Sequence, residues 1–192
     1  MNLRFHDRLI PGTKLKRSDM DGLTGMEFLK KVFFISEGVM LTQIRDISGI
    51  DSSTLQNWTK RGWVANSRLK KYNMDQVAHI LIINMMRSCM QLEHIDFLIH
   101  YINGRVDDSS DDIISDSMLY DYICRILSYM MDSEQVSLSK VRSIVDEIVS
   151  DYVEPMEGAK ERLVKALEVI VITYYAALLK RHADGLLSEL QV

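Results

Sequence analysis

The chain contains little that would interrupt a helix: 2 prolines and 9 glycines in 192 residues. Long helices are therefore permitted almost everywhere. Cysteine is just as scarce. Cys89 and Cys124 are far apart, no Cys-x-x-Cys exists, and their apolar, helical surroundings predict two buried free thiols, with a redox or metal-sensing role as the alternative. Long hydrophobic runs are missing too. Val77–Met86 is broken by His79 and Asn84, and Leu167–Leu179 contains Glu168, so neither is long or apolar enough to span a bilayer. The first residues, Met1 to Arg8, carry charges throughout and have no apolar stretch, unlike a secretory leader. A cytoplasmic protein without a membrane partner is expected.

Recognisable catalytic patterns are also lacking. There is no Gly-x-Gly-x-x-Gly, no phosphate-binding Gly-x-x-x-x-Gly-Lys-Ser/Thr and no Gly-x-Ser-x-Gly. Asp107-Asp108 and Asp111-Asp112 lack the spacing of a calcium loop, and no His or Cys group has zinc spacing. His94 and His100 are six residues apart, on different faces of a helix. No catalytic residue, metal ligand or cofactor is expected, and the chain reads as a non-enzyme.

Acid is absent from one stretch. The net charge is −4, but it is unevenly spread. From Met1 to Arg105 there are 15 Lys and Arg against 10 Asp and Glu; from Val106 onward there are 8 against 17. Between Ser52 and Met74 there is no acid and there are five bases, Lys60, Arg61, Arg68, Lys70 and Lys71. Counterion release draws such a cluster to a polyanion, which the acidic half would repel. The plainer alternative is a solvated basic surface beside an acidic domain.

The same stretch carries the most informative pattern. Thr42 can cap a helix in which Ile44 and Ile47 point inward. Ser48-Gly49 ends it, Ile50 is the core residue of the turn, and Asp51 or Ser52 caps a second helix. Leu55 and Trp58 face the core there, leaving Thr54, Gln56, Asn57 and Lys60 largely outside until Gly62 stops the helix. Trp63-Val64 reads as a short extended pair, and Ala65–Lys71 as a polar, basic loop closed by Tyr72. Together these pieces have the layout of a helix-turn-helix with a small wing.

The fold class expected is all-α: a winged helix-turn-helix domain with at most a tiny β-wing, then a helical bundle. Residues 1–40 form an arm with a short helix at Met26–Ile35, residues 41–103 the motif and two further helices, residues 104–116 an acidic linker, and residues 117–192 a C-terminal helical region. Asn73 caps the helix beginning at Met74, and another begins at Leu92. Three C-terminal helices are expected at about 117–131, 139–152 and 159–190. The last is apolar nearly all round from Leu167 to Leu179, which suits either the centre of a monomeric bundle or a dimer interface.

The span from Leu41 to about Tyr101 resembles the N-terminal domain of MerR-type regulators, and more loosely the excisionase-like winged helices. The likeness rests on Ser48-Gly49-Ile50, Thr54-Leu55, Trp58, Gly62, Lys70-Lys71-Tyr72 and Leu92-Glu93-His94-Ile95. In overall order the chain also resembles uncharacterised bacterial proteins that place a MerR-like domain before a helical region. The departures are Gln56 where Arg is usual, Asn57 for Tyr, Thr59 for Glu, and a shorter wing without proline or glycine.

The resemblance implies a dimer on a pseudo-palindrome in double-stranded DNA. Its second-helix contacts would be Ser53, Thr54, Gln56, Asn57 and Lys60, and its wing contacts Arg68, Lys70, Lys71 and Tyr72. The amides of Gln56 and Asn57 suit adenine N6 and N7, while Arg61 and the other four bases suit phosphates. A sequence-specific transcriptional regulator, homodimeric through its C-terminal helices, is the expected function. The alternative is a protein-interaction module that keeps the helix-turn-helix shape without binding DNA. A small-molecule effector enclosed by the Met- and Tyr-rich C-terminal helices is a further possibility.

Overall fold

The computed structural model describes residues 9–34, 36–104, 111–132 and 138–191. Among them are eight α-helices and one two-stranded sheet. In chain order these are α1 (Gly25–Val32), β1 (Val39–Met40), α2 (Leu41–Ser48), α3 (Ser52–Lys60), β2 (Lys71–Tyr72), α4 (Met74–Met86), α5 (Leu92–Asn103), α6 (Asp116–Asp132), α7 (Val141–Ile148) and α8 (Ala159–Glu189). At the level of class the all-α expectation holds. The three C-terminal helices also fall close to their expected bounds, with short 3₁₀ turns flanking α7.

Helix α4 lies at the centre. It is apolar on nearly every side, and Val77 through Ile83 are all buried. A helix of that kind must be covered all round, and α2, α5, α6 and α8 pack against it. Its start is capped reciprocally: Gln76 N donates to Asn73 Oδ1 and Asn73 N to Gln76 Oε1, both at 2.9 Å. Asn73 is the cap that the sequence suggests.

The buried apolar residues form one continuous cluster from Ile10 to Leu178. Helix α6 ties the N-terminal part to the central helix by packing against both α1 and α4. The lead-in expected as an arm is docked in its described part. Ile10 is fully buried, Tyr120 Oη donates to the Pro11 carbonyl at 2.7 Å, and Met26 N donates to Asp121 Oδ1 at 2.7 Å. Met1–Arg8 lies outside the described residues.

The expected acidic linker is likewise docked where it is described. Ile113 and Ile114 are buried, and the Asn103 side chain donates to the Ile114 carbonyl at 2.6 Å. Residues 105–110, with Asp107-Asp108, lie outside the described residues. Cys89 corrects the expectation of two buried thiols, because it is exposed whereas Cys124 is buried. Among the described residues no helix is long and apolar enough to cross a membrane.

Candidate nucleic-acid interface

Helix α2 runs directly out of β1. Thr42 is therefore not its cap: it lies within the first turn, and the Met40 amide is satisfied by Gln43 Oε1 at 2.9 Å. The C-terminus follows the sequence closely. Gly49 takes the left-handed conformation (φ 74°), which costs a glycine nothing, and Ser48 Oγ accepts the Ile50 amide at 3.1 Å. Ile44 and Ile50 are buried. Asn84 of α4 donates to the carbonyls of both Ser48 and Gly12, fixing the turn to the core.

Asp51 caps α3. Its carboxylate accepts the Thr54 amide and the Thr54 hydroxyl at 2.7 Å each, and the Ser53 hydroxyl as well. These donors, led by Ser53, hold the carboxyl well below the usual carboxylate range, so the start of α3 bears a fixed, exposed negative charge. Leu55 and Trp58 are buried on the inner side, and the Arg87 guanidinium lies 5.7 Å from the centre of the Trp58 ring. Trp58 is a core residue, not a platform for bases.

The outer side of α3 carries Gln56, Asn57 and Lys60, all exposed. Their side chains make no hydrogen bond to another described residue, in contrast to Ser53, Thr54 and Thr59 of the same helix. Thr54 and Ser53 are less available, since their hydroxyl protons are committed to Asp51. Arg61 is engaged elsewhere: its guanidinium lies 5.0 Å from the centre of the Trp63 ring and 3.7 Å from Glu93 Oε1.

The loop after α3 differs from its expected form. Trp63 and Val64 are not a strand; both are buried, and the Trp63 carbonyl accepts from His79 Nε2 at 2.9 Å. The strand is β2, which pairs antiparallel with β1 in the register Val39↔Tyr72 and Met40↔Lys71. Residues 68–71 close a two-residue hairpin turn. Arg68 N donates to the Lys71 carbonyl at 3.0 Å, and Lys71 N to the Arg68 carbonyl at 2.8 Å. Gln76 Nε2 donates to the Asn66 carbonyl at 3.0 Å and steadies the base of the loop.

Exposed Lys70 and Lys71, with Arg68 beside them, thus sit on a hairpin anchored to the body. Tyr72 corrects the list of candidate contacts. It is 6 % exposed and packs in the core, so it secures the hairpin and has little surface to offer a phosphate. Two features leave no mark in the sequence pattern. One is the pairing of Val39-Met40 with the hairpin; the other is Leu69 at its tip, 97 % exposed.

Among the described residues no group of His, Cys, Asp or Glu could hold a metal ion. The polar helix face and the cationic hairpin remain the surface with the clearest chemistry.

Residues 22–123 match the family model DUF1836, described as a domain of unknown function. The chain belongs to this family. The match takes in both α3 and the hairpin and ends within the first half of α6. The chain is also similar to the uncharacterized protein YkrK of Bacillus subtilis (strain 168), 27 % identical over 160 residues, covering 78 % of this chain and 68 % of that protein. No solved structure matches the chain.

Proposed function

We propose that this DUF1836 chain is a sequence-specific regulator that binds double-stranded DNA, with α2 and α3 as a helix-turn-helix and the 68–71 hairpin as a small wing. The observation that carries the reading is the outward side of α3. Gln56 and Asn57 hold unpartnered amides on a rigid, capped helix, and such amides can make bidentate contacts to adenine, each worth about 1–3 kcal/mol of discrimination. Lys60, Arg68, Lys70 and Lys71 supply exposed cations that hold phosphates and set the register. The resemblance of this segment to MerR-type regulators agrees with it.

The reading includes a homodimer. Val169, Ile172, Ala176, Leu179, Ala183, Leu186 and Leu190 recur at alternating steps of three and four along the outer side of α8, and all are exposed. A 3.5-residue apolar repeat is the seam of a helix that pairs with another helix. From Leu179 onward every described residue of α8 is exposed, so the helix outruns its own core. A second copy of the same stripe is a self-complementary cover for it, and a two-fold dimer suits a palindromic site.

Selection of genomic fragments by the purified full chain, followed by mobility shift against excess random duplex, tests the DNA reading. A recurrent motif should be enriched, and Lys70→Glu plus Lys71→Glu should weaken its binding by at least about tenfold, given the salt-dependent worth of phosphate contacts. An unenriched pool, with no salt-sensitive affinity, would favour the protein-interaction alternative. The exposed carboxylate of Asp51 at the start of α3 is the observation on that side.

A further inference from the structure

The tip of the hairpin is built against local preference. Leu69 and Lys70 have φ of 49° and 62°, the left-handed pair that a type I′ turn requires. That turn normally uses Asn-Gly or Asp-Gly, because in the left-handed region a β-carbon lies too close to the following carbonyl oxygen, a contact that glycine lacks and that Asn and Asp offset by local hydrogen bonding. Elsewhere the chain follows the rule. Among the described residues every other left-handed position is held by one of seven glycines or by Asp21, a residue type that tolerates it.

Leucine gains nothing for the fold in return. At 97 % exposure its side chain buries almost no area against its own protein. A lone exposed leucine is common; one placed in a strained turn, at the end of a braced hairpin, is not. The brace is evident: β2 pairs with β1, Tyr72 is buried behind it, and Gln76 holds the loop at Asn66. The immediate neighbours are Arg68, Lys70 and Lys71, with no acid between Ser52 and Met74. Cations on both sides of a projecting apolar tip place that tip against whatever polyanion they hold.

We infer that Leu69 is an apolar wedge: the hairpin enters the minor groove of bound DNA, its cations hold the two flanking backbones, and Leu69 inserts at a base step, partly unstacking it and kinking the duplex. Inserted leucine, isoleucine or phenylalanine side chains kink DNA in this way, and flexible pyrimidine–purine steps accept them at least cost. The inference rests on the DNA-binding reading and adds a source of sequence preference outside the contacts of α3. A rigid turn suits the task, because a wedge on a mobile loop would fold back onto the duplex surface instead of entering it.

The test uses the full chain and an end-labelled duplex of about 30 base pairs made from the most enriched genomic fragment, whose end-to-end distance reports bending by fluorescence transfer. Leu69→Asn suits the turn and removes the wedge; Leu69→Met keeps an apolar tip. Leu69→Asn should bind the fragment at least about tenfold more weakly and leave it straighter, with Tm unchanged or raised, while Leu69→Met should bend it as the parent does. Equal affinity and equal bending by Leu69→Asn would overturn the wedge while leaving the DNA reading intact. Absence of DNA binding by the parent protein would overturn both. Binding to vesicles of phosphatidylserine and phosphatidylcholine that is lost in Leu69→Asn, without DNA binding, would instead assign the tip to an anionic lipid surface.

Discussion

His79 joins Asp116 across the middle of the molecule. Its Nδ1–H donates to Asp116 Oδ2 at 2.9 Å and its Nε2–H donates to the Trp63 carbonyl at 2.9 Å. The Trp63 carbonyl can only accept, so Nε2 carries hydrogen; with Asp116 as a carboxylate Nδ1 carries one too, and the buried ring is then an imidazolium. The pair ties the segment that follows α3 to the first turn of α6, through a residue of the central helix α4. The orientation of α3 on the body therefore depends on a charge in the core.

That charge makes stability depend on pH. Burial alone would push the imidazole down, but the Asp116 charge and hydrogen bond, together with the Trp63 carbonyl and more distant Asp96, outweigh it and raise the value above the ordinary 6.5. A histidine raised in the folded state contributes its full stabilisation below the unfolded value and loses it as pH rises through the folded one. Denaturant midpoints of the full chain should fall as pH is raised from about 6.5 into the alkaline range. Asp116→Asn keeps an acceptor but removes the charge; it should lower stability by about 1–3 kcal/mol and flatten that dependence. A parent midpoint that is constant across the range would contradict the imidazolium.

Asp51 offers a way to separate folding from the proposed DNA affinity. Asp51→Asn preserves a cap for α3, since asparagine caps as well as aspartate. It also removes the exposed negative charge at the end of the helix proposed to face DNA. The expected outcome is an unchanged Tm and severalfold tighter binding to a selected fragment at low salt, with the gain shrinking as salt rises. Weaker binding would mean that the carboxylate itself contacts a base.

Trp58 tests the division between core and interface. It is among the largest fully buried side chains, at 1 % exposure. Trp58→Ala should destabilise the chain by about 3–5 kcal/mol in denaturant titration. Trp58→Leu, which keeps an apolar side chain but cannot stack on a base, should retain DNA sequence preference, which a base-stacking tryptophan would not allow.

The two cysteines should react differently. Burial pushes the Cys124 thiol up to about 11, whereas Cys89 is exposed. Ellman's reagent at pH 8 should titrate one thiol in the native protein and two in guanidinium. Replacement of Cys89 by serine should abolish the native reaction.

The α8 stripe predicts the oligomer. Leu179→Glu plus Leu186→Glu places charge on two exposed seam positions, so the monomer fold should persist while light scattering shows the mass halved. A parent protein that is already monomeric at tens of micromolar would remove the dimer from the account.

Much of the local structure could be read from the chain because it rests on neighbours. Gly49, Ile50, Asp51, Leu55 and Trp58 act within a few residues of one another, as do Asn73 and Gln76, and each takes the role that its spacing implies. The misreadings involve distance. Val39-Met40 is too short to show any periodicity and becomes a strand only because Lys71-Tyr72 lies beside it. That pairing also explains why Thr42 is not a cap and why Tyr72 is drawn inward. The docked lead-in was hidden for the same reason, since Pro11 and Met26 find their partners about a hundred residues away in α6. The hairpin tip was unreadable because Leu69-Lys70 lacks the residues that usually mark a type I′ turn.

The most direct measurement of the central claim is a salt series of binding isotherms on a selected genomic fragment and a random duplex, for the parent chain and for Gln56→Ala plus Asn57→Ala. The parent should prefer the selected fragment, and log K should fall with log salt at a slope of about −0.9 for each phosphate held. The double variant should lose most of the preference while keeping the slope, because amides specify and cations position. Equal affinity of the parent for both duplexes, or a double variant with undiminished preference, would contradict the assignment of α3 as the reading surface.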